Sequence, residues 1–226
     1  MIDLQSQFRS GMGGFLRSLF LRIGIRKLKF DNSAQYWDDR YASGGSSGDG
    51  SYGQLAKFKA DTINHFITQN NVESVIEFGC GDGNQLAMFN IPKYIGLDVS
   101  KTVIEQCKNK FREDSSKTFF HLVPDSVVQV ADLSLSLDVI YHLIEDDVYH
   151  KYMQQLFTNA NKWVIIYSSN SEEPFGDDPA HCRNRKFTEW VSHNMQNWML
   201  KKKVDNPMKE RSVADFYFFE KKSKEE

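Results

Sequence analysis

The chain has 226 residues, of which 40% are apolar and 26% charged, with a net charge of −2. That is enough apolar material for one cored domain with an extension, and no run of 18 uncharged apolar residues offers a membrane span. Three widely spaced cysteines, Cys80, Cys107 and Cys182, fit a reducing compartment, and without a CxxC pair no structural zinc site is expected.

Charge is divided unevenly along the chain. Residues 1–29 carry Arg9, Arg17, Arg22, Arg26, Lys27 and Lys29 against Asp3, a balance of +5 that leaves −7 for the remainder. Phe15, Leu16, Leu19, Phe20 and Ile23 recur at helical spacing within this arm. It has neither the long apolar core nor the small-residue cleavage site of a secretory signal, so a cytoplasmic location is expected. Three readings compete for residues 1–30: a helix packed on the body, a homodimer contact, or peripheral contact with the anionic face of an inner membrane. The body, residues 31–226, is mildly acidic, which disfavours nucleic acid as a partner.

Residues 33–42 read as a short helix capped by Asn32 or Ser33, followed by the glycine-serine stretch 44–53. That stretch is either a flexible linker or the cover of a site. An amphipathic helix follows over 52–71, with Leu55, Phe58, Thr62, Ile63, Phe66 and Ile67 on one face. A strand is expected over 72–78. It runs into Glu77-Phe78-Gly79-Cys80-Gly81-Asp82-Gly83, a turn with glycine at alternate positions that lets backbone approach a ligand closely. Asn84 or Gln85 should open a short helix, stopped by Pro92. A second strand, 94–98, ends in Asp98, 19 residues beyond Gly79, where a carboxylate can take the two hydroxyls of a ribose.

Beyond it, Ser100, Thr102 and Glu105 start a helix, and strands are expected at 118–123, 132–138 and 163–167. A helix carrying Ile144, Val148, Tyr152, Leu156 and Phe157 separates the last two. The segment after the fifth strand holds Asp177, Asp178, His181, Arg183, Arg185 and Lys186, ahead of a helix from Phe187 to Met195. Strands at 198–204 and 216–220 close the chain. Alternating strands and helices predict a parallel α/β sheet with helices on both faces.

The pattern E-x-G-x-G-x-G at Glu77–Gly83, followed by Asp98, resembles motif I of the class I S-adenosylmethionine-dependent methyltransferases. The resemblance covers roughly residues 33–200 and includes Trp37-Asp38-Asp39-Arg40-Tyr41 and Asp138-Val139-Ile140-Tyr141-His142-Leu143. It is strongest to a bacterial subgroup common in surface-polysaccharide and other secondary biosynthesis. It implies a Rossmann-like fold with seven mostly parallel strands, the last antiparallel. It also implies S-adenosyl-L-methionine as cofactor and methyl transfer to a small-molecule or glycan acceptor, chiefly on oxygen. The alternatives are N-methylation of protein or nucleic acid, or a non-catalytic cofactor-binding subunit.

By the same resemblance Glu77, Gly79, Cys80, Gly81, Gly83, Asp98 and Val99 hold the cofactor. Asp125 would meet the adenine, and the backbone at Asp138 the methionine part. Tyr36, Trp37, Arg40 and Tyr41 would form a lid, with Arg40 on the methionine carboxylate; Tyr36 and Trp37 read equally well as core aromatics. His142, one turn into a helix, and His181 are the candidate catalytic bases. Asp177, Asp178 and His181 match no strict metal spacing, and no metal is expected.

Overall fold

The computed structural model describes residues 30–123, 129–174 and 179–223. The arm 1–29, Asp125, Asp177 and Asp178 lie outside the described residues. In chain order the elements are α1 (Ser33–Ala42), α2 (Gly53–Gln69), β1 (Ser74–Phe78), β2 (Lys93–Asp98), α3 (Lys101–Lys110) and β3 (Lys117–His121). Then come β4 (Ala131–Leu137), α4 (Asp146–Thr158), β5 (Ala160–Ser168), α5 (Phe187–Asn194), β6 (Trp198–Val204) and β7 (Asp215–Lys221).

The seven strands form one sheet in the order β3-β2-β1-β4-β5-β7-β6. Strands β1 to β5 are parallel, and β7 runs antiparallel to both β5 and β6. This is the Rossmann-like arrangement expected. Chain direction across the sheet reverses between β1 and β4, and a crevice opens beyond their carboxyl ends.

Alternation along the strands divides the core between the two faces. Val75, Leu133, Leu135 and Tyr167 pack with Ile63 and Ile67 of α2 and Ile104 of α3. Ile76, Phe78, Val164 and Ile166 pack with Met153 and Leu156 of α4 and Phe187 of α5. Each strand residue faces one layer because successive side chains point to opposite sides.

Two expected helical features differ. The glycine turn opens no α-helix: Gln85 leads only into a single 3₁₀ turn at Leu86–Met88, and Phe89 is already extended. The span before Pro92 is too short to add helical turns and still reach β2. His142 is likewise not inside a helix. It ends a separate 3₁₀ turn, Ile140–His142, and α4 begins only at Asp146. Ser33 accounts for the break, because its backbone N–H and hydroxyl donate to the Glu145 carboxylate at 2.9 and 2.6 Å and fix that residue in extended backbone ahead of α4.

Candidate active site

The glycine turn is held from behind and from above. Gly79 and Cys80 both donate N–H to Leu97 O, at 2.7 and 2.9 Å, which lashes the turn to the end of β2. Gly79 and Gly81 have φ of +80° and +56°, where a side chain is strained. A Cβ on Gly79 would lie 2.5 Å from Val139 Cγ2, and one on Gly81 would lie 2.3 Å from Ser47 Oγ. Gly83 does not face the crevice; a Cβ there would strike Phe111 of the segment after α3.

The glycine-serine stretch is a built wall rather than a loose linker. Ser47 N–H and Tyr52 OH donate to Asp82 Oδ2 at 2.9 and 2.7 Å, and Asp82 N–H donates to Ser47 Oγ at 2.9 Å. Asn84 Nδ2 donates to Ser51 O at 2.7 Å. Helix α1 lies across the crevice, tied to α3 by Ser100 Oγ donating to Asp38 at 2.5 Å and to the α4 entry by Ser33. Asn32 supplies its N-cap, accepting from Gln35 N–H at 2.9 Å.

Together these enclose a cavity of about 340 Å³. Trp37, Tyr41, Glu77, Gly79, Cys80 and Gly81 line it, as do Asp98, Val99, Asp138 and His142. Tyr36 and Arg40 do not. Tyr36 is buried with its ring stacked on His181 at 4.5 Å. Arg40 Nε donates to Ser46 O at 2.7 Å and its guanidinium lies over the Trp37 ring at 5.6 Å, so it closes the wall instead of entering the cavity.

Among the described residues the Lys or Arg side chain lining the cavity is Lys59, which no sequence motif marks. It is 1% exposed, and its Nζ lies 2.5 Å from Asp138 Oδ2 and 5.3 Å from the Tyr167 ring centroid. Asp138 has φ +60°, a left-handed backbone held by Tyr141 OH donating to Oδ1 at 2.8 Å and by its N–H donating to Tyr167 O at 2.9 Å. Lys59 sits four residues after Leu55 and four before Ile63, both buried, so helical spacing alone put it on the inner row.

Two more carboxylates sit inside. Asp98 accepts from Gly81 N–H and Ser100 N–H, each at 3.0 Å, and burial still pushes its pKa up to about 6. Burial raises Glu77 to about 7, although Tyr94 OH donates to it at 2.5 Å and Lys59 is near. Gln85 Nε2 donates to Ala56 O at 2.9 Å, while its buried Oε1 has no hydrogen-bond partner among the described residues.

At the other end of the cavity, His142 Nδ1 donates to His181 O at 2.9 Å, and its ring meets Trp37 edge-on at 4.8 Å. Burial depresses its pKa to about 4 and lowers that of His181, so both imidazoles are neutral at pH 7. Arg183 and Arg185 do not project as free cations. Both pair with Asp146, and Arg185 Nη2 donates to Leu143 O and Ile144 O at 2.8 Å.

No protein-family model matches the chain, and no curated protein matches its sequence. Solved structures do match the fold. The N-methyltransferase NodS from Bradyrhizobium japonicum WM9, in complex with S-adenosyl-L-homocysteine, superposes with a TM-score of 0.65. The match covers 85% of this chain and 100% of that one at 11% identity. Magnesium protoporphyrin IX methyltransferase from Synechocystis PCC 6803, also with bound S-adenosyl-L-homocysteine, gives 0.63 over 84% and 100%, at 14% identity. The methyltransferase domain of bacterial CtHen1-C gives 0.57 over 73% and 97%, at 19% identity. At these identities the likeness is one of fold, and the fold is that of the S-adenosylmethionine-dependent methyltransferases.

Proposed function

We propose that the chain is an S-adenosyl-L-methionine-dependent methyltransferase acting on a small-molecule or glycan acceptor, at oxygen. The observation that carries this is the buried Asp98 carboxylate, gripped by Gly81 N–H on the cavity floor beneath a turn whose glycines admit no side chain. The carboxylate keeps acceptor capacity beyond these backbone donors, which suits a hydroxyl-bearing ribose.

The remaining polar groups fit the same cofactor. An α-amino acid end is a carboxylate beside an ammonium, and the Lys59–Asp138 pair offers a cation beside a carboxylate. Gln85 Oε1, buried without a partner among the described residues, is a further acceptor for ammonium protons. This gives Lys59 the role that the sequence assigned to Arg40. When bound, S-adenosyl-L-methionine supplies an already activated methyl group.

The chain's own contribution is then position and dryness. Trp37 and Tyr41 of α1 roof the cavity and exclude water, and fixing the reacting atoms in line supplies about 7–11 kcal/mol of the barrier reduction. His142 stands at the acceptor end, whereas His181 lies behind it and does not line the cavity. A base tuned for neutral pH has a pKa near 7, so His142 at about 4 is a weak proton acceptor by itself.

Calorimetry tests the reading. One equivalent of S-adenosyl-L-methionine should bind, and Asp98→Ala should weaken it about 10- to 100-fold, the worth of hydrogen bonds to a charged group. No binding to folded protein overturns the proposal. A methyl-transfer screen across sugar nucleotides, oligosaccharides, peptides and tRNA identifies the acceptor; labelling of tRNA or peptide alone would overturn the small-acceptor assignment.

A further inference from the structure

We infer that His142, His181 and Cys182 form a three-ligand Zn²⁺ site behind the cavity wall at His142. Among the described residues, one donor atom from each of these side chains lies within 4.8 Å of the other two. Two imidazoles and a thiolate are the donor set that borderline-soft Zn²⁺ selects over Mg²⁺ or Ca²⁺. The Cys182 Sγ to His142 Nδ1 separation is 3.5 Å. Zinc bonds of 2.0–2.1 Å to nitrogen and 2.3 Å to sulfur place tetrahedral ligands about 3.6 Å apart, so this edge is already at bonding geometry.

The cluster is assembled from two segments that the fold locks together. His142 ends the turn after β4, whereas His181 and Cys182 lie between β5 and α5. Arg183 N–H donates to Tyr141 O at 2.7 Å, which fixes the second segment against the first, and Cys182 N–H donates to Pro179 O at 2.8 Å within the second. The two imidazoles are nearly parallel, at 11° with centroids 5.6 Å apart, and aromatic rings of α1 hold them: Tyr36 on His181, Trp37 on His142. All three residues are partly exposed, so an ion can reach them. Binding at His142 Nδ1 replaces the proton now donated to His181 O, and the widest donor pair closes by somewhat more than 1 Å. His181 is in neither helix nor strand, where backbone can give that distance.

Three protein ligands leave a fourth tetrahedral position open. Of the three ligands His142 alone lines the cavity, so the site stands behind that part of its wall.

Cobalt is the spectroscopic probe. Tag-free full-length protein, stripped with a chelator and titrated with Co²⁺, should bind one equivalent with a thiolate-to-cobalt charge-transfer band that Zn²⁺ abolishes. Cys182→Ser should lose that band. His181→Ala should weaken Zn²⁺ by more than the roughly 10- to 100-fold that loss of a mere supporting partner costs. No thiolate band in folded wild-type protein overturns the site, as does an undiminished band in Cys182→Ser, which would place the metal on Cys80 or Cys107. Cofactor calorimetry on the same samples keeps the two proposals apart. Cobalt binding without S-adenosyl-L-methionine binding leaves the site and removes the function, and the reverse result removes the site alone.

Discussion

Glu77 lies in the middle of a parallel sheet, 3% exposed, where ionisation costs more than its one hydroxyl partner returns. Its folded pKa of about 7 stands above the ordinary 4.5 because of burial. The native state therefore keeps a proton that the unfolded chain has released between those values, and stability falls as pH rises through that window. At 1.36 kcal/mol per unit the whole effect is about 3 kcal/mol. Glu77→Gln removes it, so urea unfolding at pH 5 and pH 8 should show the variant gaining about that much on the wild type at the higher pH. A difference that does not change with pH would mean the carboxylate is not held protonated. Asp98 has the same sign in folding but the opposite one in binding. In the proposed binding mode the ionised form accepts ribose hydroxyls, so affinity for S-adenosyl-L-methionine should fall as pH drops below about 6, by up to tenfold per unit. Calorimetry at pH 7.5 and pH 5 reads this directly, and Asp98→Asn should flatten the dependence.

One ion pair joins helix α2 to the end of β4 across the cavity wall. Lys59 is 1% exposed and Asp138 is held in a left-handed backbone, so removing the cation leaves a carboxylate whose remaining side-chain partner among the described residues is Tyr141 OH. Lys59→Met should cost about 3 kcal/mol in urea unfolding, and adding Asp138→Asn should recover part of that, since breaking a buried pair costs more than replacing it. A loss below about 1 kcal/mol would show that water solvates Asp138. This pair also marks where sequence stops being legible. The strands were readable because β1, β2 and β5 hold short apolar runs and β4 alternates leucine with polar residues, each bounded by turn or helix signals that leave few topologies open. The Asp98 carboxylate was readable because glycine spacing and strand length fix where it falls. Lys59 was not, because a lysine in an amphipathic helix reads as solvated until Leu55 and Ile63 are seen buried on either side of it. Arg40 shows the converse: its charge suits a carboxylate, but its Nε donates to Ser46 O six residues along the chain and it does not line the cavity. The turn at Ile140–His142 depends on Ser33, more than a hundred residues earlier, and no local pattern reports such a contact.

At the scale of the molecule, charge and site are separated. Among the described residues those lining the cavity fall at position 32 or later, whereas the +5 balance lies within residues 1–29. A chain of residues 31–226 should therefore bind S-adenosyl-L-methionine within about threefold of the full chain, because it loses none of those groups and a factor of three is well under 1 kcal/mol. The sheet edge does not offer an alternative basic anchor of the same kind. β6 carries Lys201, Lys202 and Lys203 together, but they pair with Glu220, Asp205 and Asp215 or lie over the Phe218 ring, and their charge protects an exposed edge strand from pairing with another chain. No helix among the described residues is long and apolar enough to cross a membrane. Attraction to an anionic surface then rests on the arm, at about 1 kcal/mol for each cation near the surface, working against a body of charge −7. Flotation with anionic vesicles at low and high salt separates the uses open to it. Recovery of the full chain alone, lost at high salt, assigns the arm to the membrane surface. Equal recovery of both chains, with 31–226 turning monomeric in sedimentation, assigns it to a contact between copies. If instead 31–226 is equally monomeric but binds the cofactor more than tenfold more weakly, the arm packs on the body and orders the cavity from outside.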